Sequence, residues 1–233
     1  MSIKYVAAQN GAVRLALIRL QRIWQQLDHS DVEATRRVMH EAWVDTLRTY
    51  GEVTATLAAD RFEELTGYPP TMVRPVDPER ANARLGWALD PLRAGAALQA
   101  WGRVQQLTDE LVKQPGRSTM IRSSVENDIR FARVPTGAET CAFCYMLASR
   151  GAVYASRKSA TQTKGGMSSY HGDCDCRVEP VRSDDDLERL RADGYDPDGL
   201  YQAYLVARDA ASPNNHFATK EILSELRNVL DAN

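Results

Sequence analysis

Cys141-Ala-Phe-Cys144 and His171-Gly-Asp-Cys174-Asp-Cys176 are the two stretches that hold all four cysteines of this 233-residue chain. A Cys-x-x-Cys pair lets one turn present two thiolates to the same tetrahedral ion, and a later His-x-x-Cys supplies the two remaining ligands. The spacing therefore predicts a structural Zn²⁺ site without an open position for water. Five candidate ligands compete for its four places: Cys141, Cys144, His171, Cys174 and Cys176.

The sequence does not choose between Cys174 and Cys176, and it leaves three alternatives to zinc open. Two disulfides would use every cysteine, but Arg14, Arg19 and Arg22 interrupt any signal-like apolar run at the start of the chain. We therefore expect a reducing cytoplasm, where clustered cysteines bind metal more readily than they form disulfides. A redox Cys-x-x-Cys belongs to alternating strands and helices, a pattern that this chain lacks. Unpaired buried cysteines are the third alternative.

Composition sets the class of protein. Apolar residues make up 43% of the chain, which excludes a disordered protein. Charged residues make up 26% and nearly cancel to a net charge of -2, so no overall field favours nucleic acid or an anionic membrane. No apolar run reaches the roughly 18 residues of a membrane span. The composition predicts a globular protein without a membrane partner.

The first 130 residues are predicted to be helical. Apolar residues recur every three to four positions over residues 13–27 and again over residues 32–65. Ser30 and Glu33 have the spacing of a capping box at the start of the second helix, and Gly67 stands where that helix should end. Ordinary core packing is the favoured interpretation of these apolar stripes.

Two further helices are predicted to begin at Asp77-Pro78 and Asp90-Pro91, because an N-cap residue precedes a proline at the first helical position. The second of them should end at a Pro115-Gly116 break, before a short helix over residues 119–130. This half also holds all four tryptophans, a residue enriched at interface hot spots. Packing inside the core is the favoured role of these rings, and a docking surface is the alternative.

Shorter elements follow residue 130. Residues 131–135, 152–154 and 176–181 are predicted as strands, residues 140–150 as a helix, and residues 155–169 as an exposed loop. Ser183 caps a helix through Leu190, and further helices are expected over residues 200–211 and 219–230. The fold class is therefore mainly α. Its predicted parts are a helical domain (residues 1–130), a small α+β zinc-binding module (131–182) and a C-terminal helical region (183–233).

The two cysteine stretches resemble a known module. The run from Thr140 to Tyr154, followed by His171-Gly-Asp-Cys174-Asp-Cys176-Arg-Val-Glu-Pro-Val181, is similar to the C-terminal module of the phage Mu F-like minor head proteins. Within that family it most resembles the actinobacteriophage minor capsid proteins of the VG15 group. The departures are Gly172-Asp173 where the family has Pro-Asn and Asp175 where it has Arg. The resemblance covers about 50 residues, from Phe131 to Val181.

The resemblance implies a minor capsid protein that acts in head morphogenesis. Its expected partners are the portal protein, the major capsid protein or both, with non-specific contact to packaged DNA. Its expected location is the host cytoplasm during assembly and then the virion interior. Neither an enzymatic role nor a small-molecule substrate is expected, because four protein ligands close the predicted zinc site.

Two other functions remain as alternatives. A capsid maturation protease needs a nucleophile beside a base, for which Ser168 or Ser169 near His171 are the local candidates. A nucleic-acid-binding zinc module would use the basic loop around Arg157, Lys158 and Lys164, although a solvated loop explains these charges as well.

Overall fold

The computed structural model describes residues 2–74, 77–137, 140–153, 175–211 and 219–231. These residues form two compact units, one ending at Ser123 and the other beginning at Ser124. Within these ranges the chain is mainly helical with a small two-stranded sheet, which confirms the mainly α part of the predicted fold class, while the zinc-binding module stays a prediction. None of the helices in these ranges is long and apolar enough to span a bilayer. The three-part domain division stays a prediction.

In the described residues, the first unit contains three α-helices, a short 3₁₀ helix and all but the last residues of a fourth α-helix. They are α1 (Ser2–Trp24), α2 (Val32–Thr66), α3 (Pro78–Leu89), the 3₁₀ helix (Asp90–Ala94) and α4 (Ala97–Glu126). Their apolar stripes meet in a core built around side chains that solvent hardly reaches, among them Leu20, Met39, Trp43, Leu85 and Val104. Core packing is thus confirmed as the role of the stripes.

The bounds of α1 and the start of α2 differ from the prediction. Helix α1 covers Ser2–Trp24 instead of residues 13–27. The predicted cap at Ser30 is wrong, because Asp31 is the N-cap of α2 and its carboxylate accepts the N–H of Ala34 at 2.9 Å. Ser30 instead donates through both its N–H and its hydroxyl to Asp28. The end of α2 at Gly67 is confirmed, with φ at 72° and its N–H bonded to the Glu63 carbonyl.

The predicted helix starts have different outcomes. Helix α3 begins at Pro78 as expected. Asp90-Pro91 opens only the short 3₁₀ helix, which Gly95 ends with φ at 71°, and α4 begins at Ala97. Proline at the first position fits any helical turn, so the pattern predicts the turn but not its continuation.

The predicted break at Pro115-Gly116 is wrong, and so is a separate helix over residues 119–130. Helix α4 runs through both residues to Glu126. Thr54 of α2 donates its hydroxyl to the Val112 carbonyl at 2.6 Å, next to the turn that Pro115 weakens. A Cβ on Gly116 would lie 2.7 Å from the Thr54 carbonyl oxygen, so glycine lets the two helices approach closely. Tertiary contacts with α2 therefore keep the helix continuous.

Core packing accounts for most of the tryptophans. Trp43 is fully buried, and its indole N–H donates to the Thr108 hydroxyl at 2.9 Å. Trp24 is buried and stacks on Trp101, with ring centroids 5.4 Å apart. Trp87 is half exposed, and the Arg103 guanidinium lies 4.5 Å from its ring centroid. The tryptophans therefore do not form one docking surface.

The second unit combines a sheet with short helices. Its elements are β1 (Arg130–Val134), α5 (Ala142–Ala148), β2 (Arg177–Val181), α6 (Asp184–Ala192), α7 (Pro197–Ala211) and α8 (Thr219–Asp231). The strands pair in antiparallel fashion, from Arg130 opposite Val181 to Val134 opposite Arg177.

Most of the predicted elements in this unit are confirmed, including both paired strands and the Ser183 cap of α6. The exception is the predicted strand at residues 152–154, because Ala152 and Val153 are not in a strand. Tyr154 and the predicted loop at 155–169 lie outside the described residues.

Candidate metal centre

The sheet places Cys176 on a defined face. Side chains alternate between the two faces of a strand, so Phe131 and Arg133 of β1 share a face with Val178, which lies opposite Arg133. Cys176 lies two residues before Val178 and so reaches the same face. Its side chain is 1% exposed. The pairing of the two strands thus places the Arg133 cation beside the Cys176 sulfur, on the same face as the Phe131 ring.

The first turn of α5 presents the Cys-x-x-Cys pair. Cys141 is the N-cap of the helix, in an extended backbone conformation, and its sulfur accepts the N–H of Cys144 at 3.4 Å. Cys144 is fully buried. Both sulfurs of the pair therefore lie at the first turn of α5. The turn is therefore suited to a pair of metal-binding sulfurs.

Cys144 and Cys176 meet although 31 residues separate them along the chain. Their sulfurs lie 3.5 Å apart. A disulfide would bring them to about 2.05 Å, whereas a tetrahedral zinc with bonds of about 2.3 Å holds two sulfurs about 3.8 Å apart. Without metal, the Cys144 thiol donates its proton toward Cys176. A zinc ion bound by both sulfurs would take the place of this proton.

Arg133 adds a buried cation to the site. It is fully buried in the middle of β1, and its guanidinium donates to the Cys176 sulfur at 2.8 Å. A buried guanidinium is stable only beside negative charge and hydrogen-bond acceptors. The Cys176 sulfur is thus one acceptor for this buried guanidinium.

Asp175 joins the segment before Cys141 to the segment before Cys176. Its carboxylate accepts the Thr140 hydroxyl at 2.7 Å, and its backbone carbonyl accepts the hydroxyl of Thr136. A Cβ on Gly137 would collide with the same carboxylate, so a larger residue there would have to displace the Asp175 side chain. Because Thr140 and Asp175 directly precede Cys141 and Cys176, the bond between them brings the two cysteines toward one another.

The C-terminal helices hold α5 in place. Tyr195 donates its hydroxyl to the Ala148 carbonyl at 2.7 Å, which satisfies a carbonyl at the end of the helix. Ala148 packs with the second sheet face and with Leu190 of α6. The other side of α5 packs against Ala207 of α7 and Leu226 of α8. The helix that carries the cysteine pair is thus fixed by apolar contacts on both sides.

The structure places three of the five predicted ligands and brings two of their sulfurs together. Cys144 and Cys176 are in contact, and Cys141 lies at the helix cap beside Cys144. His171 and Cys174 lie outside the described residues. Within the described ranges, no group of three or more His, Cys, Asp or Glu side chains is arranged to hold a metal ion. The full ligand set therefore stays a prediction.

Sequence reasoning missed Arg133, Asp175 and Gly137 as parts of this site. The signal for Arg133 was present, because a single cation interrupts the apolar strand Phe131–Val134. Such a residue is costly to bury unless it meets a specific partner. In the sequence, Asp175 stands out only as a departure from the Mu F-like pattern. Its bond to Thr140 depends on the fold and left no signal in the local sequence.

The chain matches one family along most of its length. The family model described as VG15 protein matches residues 3–207. Gene 15 protein of Mycobacterium phage D29 is 32% identical over 143 residues, in an alignment that covers 44% of this chain and 52% of that protein. The match thus spans about half the length of the curated relative. No solved structure matches the chain. The chain belongs to the VG15 family of phage proteins.

Proposed function

We propose that the chain is a minor capsid protein that acts in head morphogenesis at the portal and is then retained in the virion interior. The observation that carries this proposal is the VG15 family match over residues 3–207. A wider relationship to the Mu F-like proteins belongs to the same proposal, as does assembly in the host cytoplasm. The partial alignment with the phage D29 protein supports a phage role in general terms.

A zinc ion in the second unit is the structural part of this proposal. Cys141 and Cys144 at the start of α5 and Cys176 beside β2 are suited to bind it, with His171 and Cys174 as the sequence-based candidates for the rest of the shell. Zinc bound only by protein ligands joins chain segments and has no position for a substrate. The ion would thus link α5 to the sheet in a protein that functions through contacts.

Neither alternative function gains support from the described residues. The protease hypothesis depends on Ser168 or Ser169 near His171, and the nucleic-acid hypothesis depends on the loop around Arg157 to Lys164. All of these residues lie outside the described ranges. Both alternatives therefore stay hypotheses from the sequence alone.

The exposed face of α1 is the surface that we assign to the portal protein. Helix α1 carries Lys4, Arg14, Arg19 and Arg22 and no acidic residue, and among these cations Arg19 is paired with Asp45 of α2 at 2.6 Å. Leu15 and Ile18 expose 52% and 39% of their surface on this helix. Together with Tyr50 of α2, they line a shallow cavity of about 470 Å³. An acidic, apolar segment of the portal protein is the complementary partner.

Capture of the full chain by the portal protein of the same phage tests this assignment. The double substitution Leu15→Glu and Ile18→Glu should remove the apolar contact and repel an acidic partner. The affinity for the portal protein should therefore fall at least about tenfold. Val206→Glu is the matched control, because Val206 is 58% exposed on α7 in the second unit. It should leave capture unchanged.

The possible results of this experiment distinguish a wrong contact surface from a wrong function. If Val206→Glu abolishes capture and the α1 variant does not, the contact surface is not on α1. If the wild-type chain neither binds portal protein nor occurs in purified virions by mass spectrometry, the minor capsid proposal is wrong. Thermal unfolding of each variant checks that the substitutions leave the fold intact.

A further inference from the structure

The segment that follows α2 is bound to the last turns of α4 through side-chain hydroxyls. The consecutive prolines Pro69-Pro70 disfavour a helical conformation at its start. The N–H of Thr71 donates to the Ser123 hydroxyl at 2.8 Å. The N–H of Val73 donates to the Thr119 hydroxyl at 2.9 Å. Two side chains of α4, one turn apart, thus bind alternate residues of the segment, as a neighbouring β-strand would.

The opposite edge of this segment has free backbone groups. In an extended chain the N–H and C=O groups of successive residues point to opposite sides, so those of Met72 and Arg74 point away from α4. Within the ranges that the structure describes, neither residue makes a backbone hydrogen bond. Met72 is 50% exposed and Arg74 is exposed, whereas Thr71 and Val73 are half-buried. The segment therefore presents the free edge of a strand.

A groove of about 740 Å³ lies between this segment and α2. Met72, Val73 and Arg74 line one wall, and the described part of the other wall comes from one side of α2 and from the first residue of α3: Val44, Arg48, Glu52, Ala55, Thr56 and Pro78. Ala55 is buried, and Val44 and Val73 are half-buried, so the inner part of the groove is apolar. A groove of this volume can hold several side chains of a bound peptide.

The charges of the groove favour an acidic occupant. Arg48 and Arg74 line it together with one acidic residue, Glu52. Arg48 is already paired with Asp45 at 2.5 Å. Arg74 has no ion pair with any residue in the described part of the chain, and its exposed guanidinium can bind a carboxylate of a partner.

We propose that this groove binds an acidic, extended segment of another protein, which adds as a strand along residues 71–74. In strand addition, main-chain hydrogen bonds give affinity, and pockets for alternate side chains give specificity. Met72 provides the main-chain groups, Arg74 binds an acidic side chain, and the apolar wall at Val44 and Ala55 receives an apolar one. The groove shares no lining residue with the α1 surface and does not depend on a bound metal ion.

Selection of peptides on the full chain tests the charge of the occupant. The probe is a displayed library of random peptides about eight residues long, which is sufficient for one strand. Enriched peptides should carry acidic residues among alternating apolar ones. Their affinity, measured by fluorescence anisotropy on synthetic copies, should fall at least about tenfold in Arg74→Glu. Arg93→Glu is the matched control, because Arg93 is an exposed cation of the 3₁₀ helix, outside the groove lining, and its affinity should stay unchanged.

Met72→Pro tests the strand edge. Proline removes the N–H of residue 72 but leaves the bonds of Thr71 and Val73 to α4 in place. The affinity for the enriched peptides should fall about three- to tenfold, as expected for one lost hydrogen bond. Met72→Leu keeps this N–H and should bind as the wild-type chain does. Bound peptide should also slow hydrogen exchange at the Met72 amide, which contact through side chains alone would not do.

Each result supports or overturns the proposal. A library that yields no binder, or binders without acidic residues, would contradict the acidic occupant. Peptides that bind Met72→Pro as tightly as the wild-type chain would contradict strand addition. If Met72→Pro does not fold, N-methylation of the peptide on its pairing residues should weaken binding to the wild-type chain, and unchanged binding would overturn the proposal. A dimer in sedimentation that Arg74→Glu dissociates would mean that a second copy of the chain occupies the groove instead.

Discussion

Replacing Cys144 by serine is expected to unfold much of the second unit while the helices of the first unit stay folded. Structural zinc contributes about 10 kcal/mol to the folding of small zinc-finger peptides. Apolar clusters around Leu190 and Leu226 also stabilise this unit, so the expected loss is smaller, on the order of 5 kcal/mol. Hydrogen exchange with mass spectrometry should show lost protection in β1, α5 and β2, and unchanged protection in α2.

Ser183→Ala is the matched control for Cys144→Ser. Ser183 caps α6 in the same unit, so its loss should cost about 1 kcal/mol while bound zinc stays unchanged. Equal loss of protection in β1 and α2 of Cys144→Ser would mean that the two units unfold as one. Full protection everywhere in that variant would mean that Cys144 does not hold a stabilising metal.

Gly116→Ala is expected to destabilise the first unit by about 3 kcal/mol, because overpacking forces two close helices apart. The new Cβ would lie 2.7 Å from the Thr54 carbonyl oxygen and 2.6 Å from the side-chain nitrogen of Gln9. Gln9 is buried and bonded to the Tyr5 hydroxyl at 2.6 Å, so neither neighbour moves easily. The midpoint of thermal unfolding should fall on the order of 10 °C.

Gly102→Ala, in the same helix, is expected to change the free energy of unfolding in the opposite direction. No atom lies within 4 Å of a Cβ at Gly102, so alanine there should stabilise α4 by about 1 kcal/mol through helix propensity alone. Calorimetry or chemical denaturation of the two variants measures the difference. If Gly116→Ala stabilised the chain as much as Gly102→Ala, the close approach of α2 and α4 at Thr54 would be disproved.

Local sequence patterns predicted which helices and strands form better than they predicted where each one begins and ends. The period of the apolar residues predicted α2, and the cap at Gly67 predicted its end, because both depend on neighbouring residues only. Pro115 shows where such reasoning fails. Its cost to a helix is local, but the contacts of Gly116 and Thr54 that outweigh it join residues 62 positions apart. Asp90-Pro91 differs, because a nearby residue ends its turn: Gly95, in the left-handed conformation, follows the 3₁₀ helix directly.

In the candidate metal site, too, local patterns predicted some residues, and residues that depend on distant partners were missed. Spacing alone predicted that Cys144 and Cys176 share a function, and their sulfurs are in contact. Arg133 and Asp175 could not be assigned in this way, because their partners depend on the pairing of β1 with β2 and on the loop before α5. A charged residue inside an apolar strand is the one local signal that would have drawn attention to Arg133.

Metal analysis of the full-length chain, purified under reducing conditions and freed of loosely bound ions, tests the central claim most directly. Elemental mass spectrometry should find about one zinc per chain, because the proposed site is closed by four protein ligands and retains its ion during purification. The thiols should become reactive only after a strong chelator removes the metal. Well-folded protein with less than about a tenth of an equivalent of zinc, and with thiols that react at once, would contradict the zinc site.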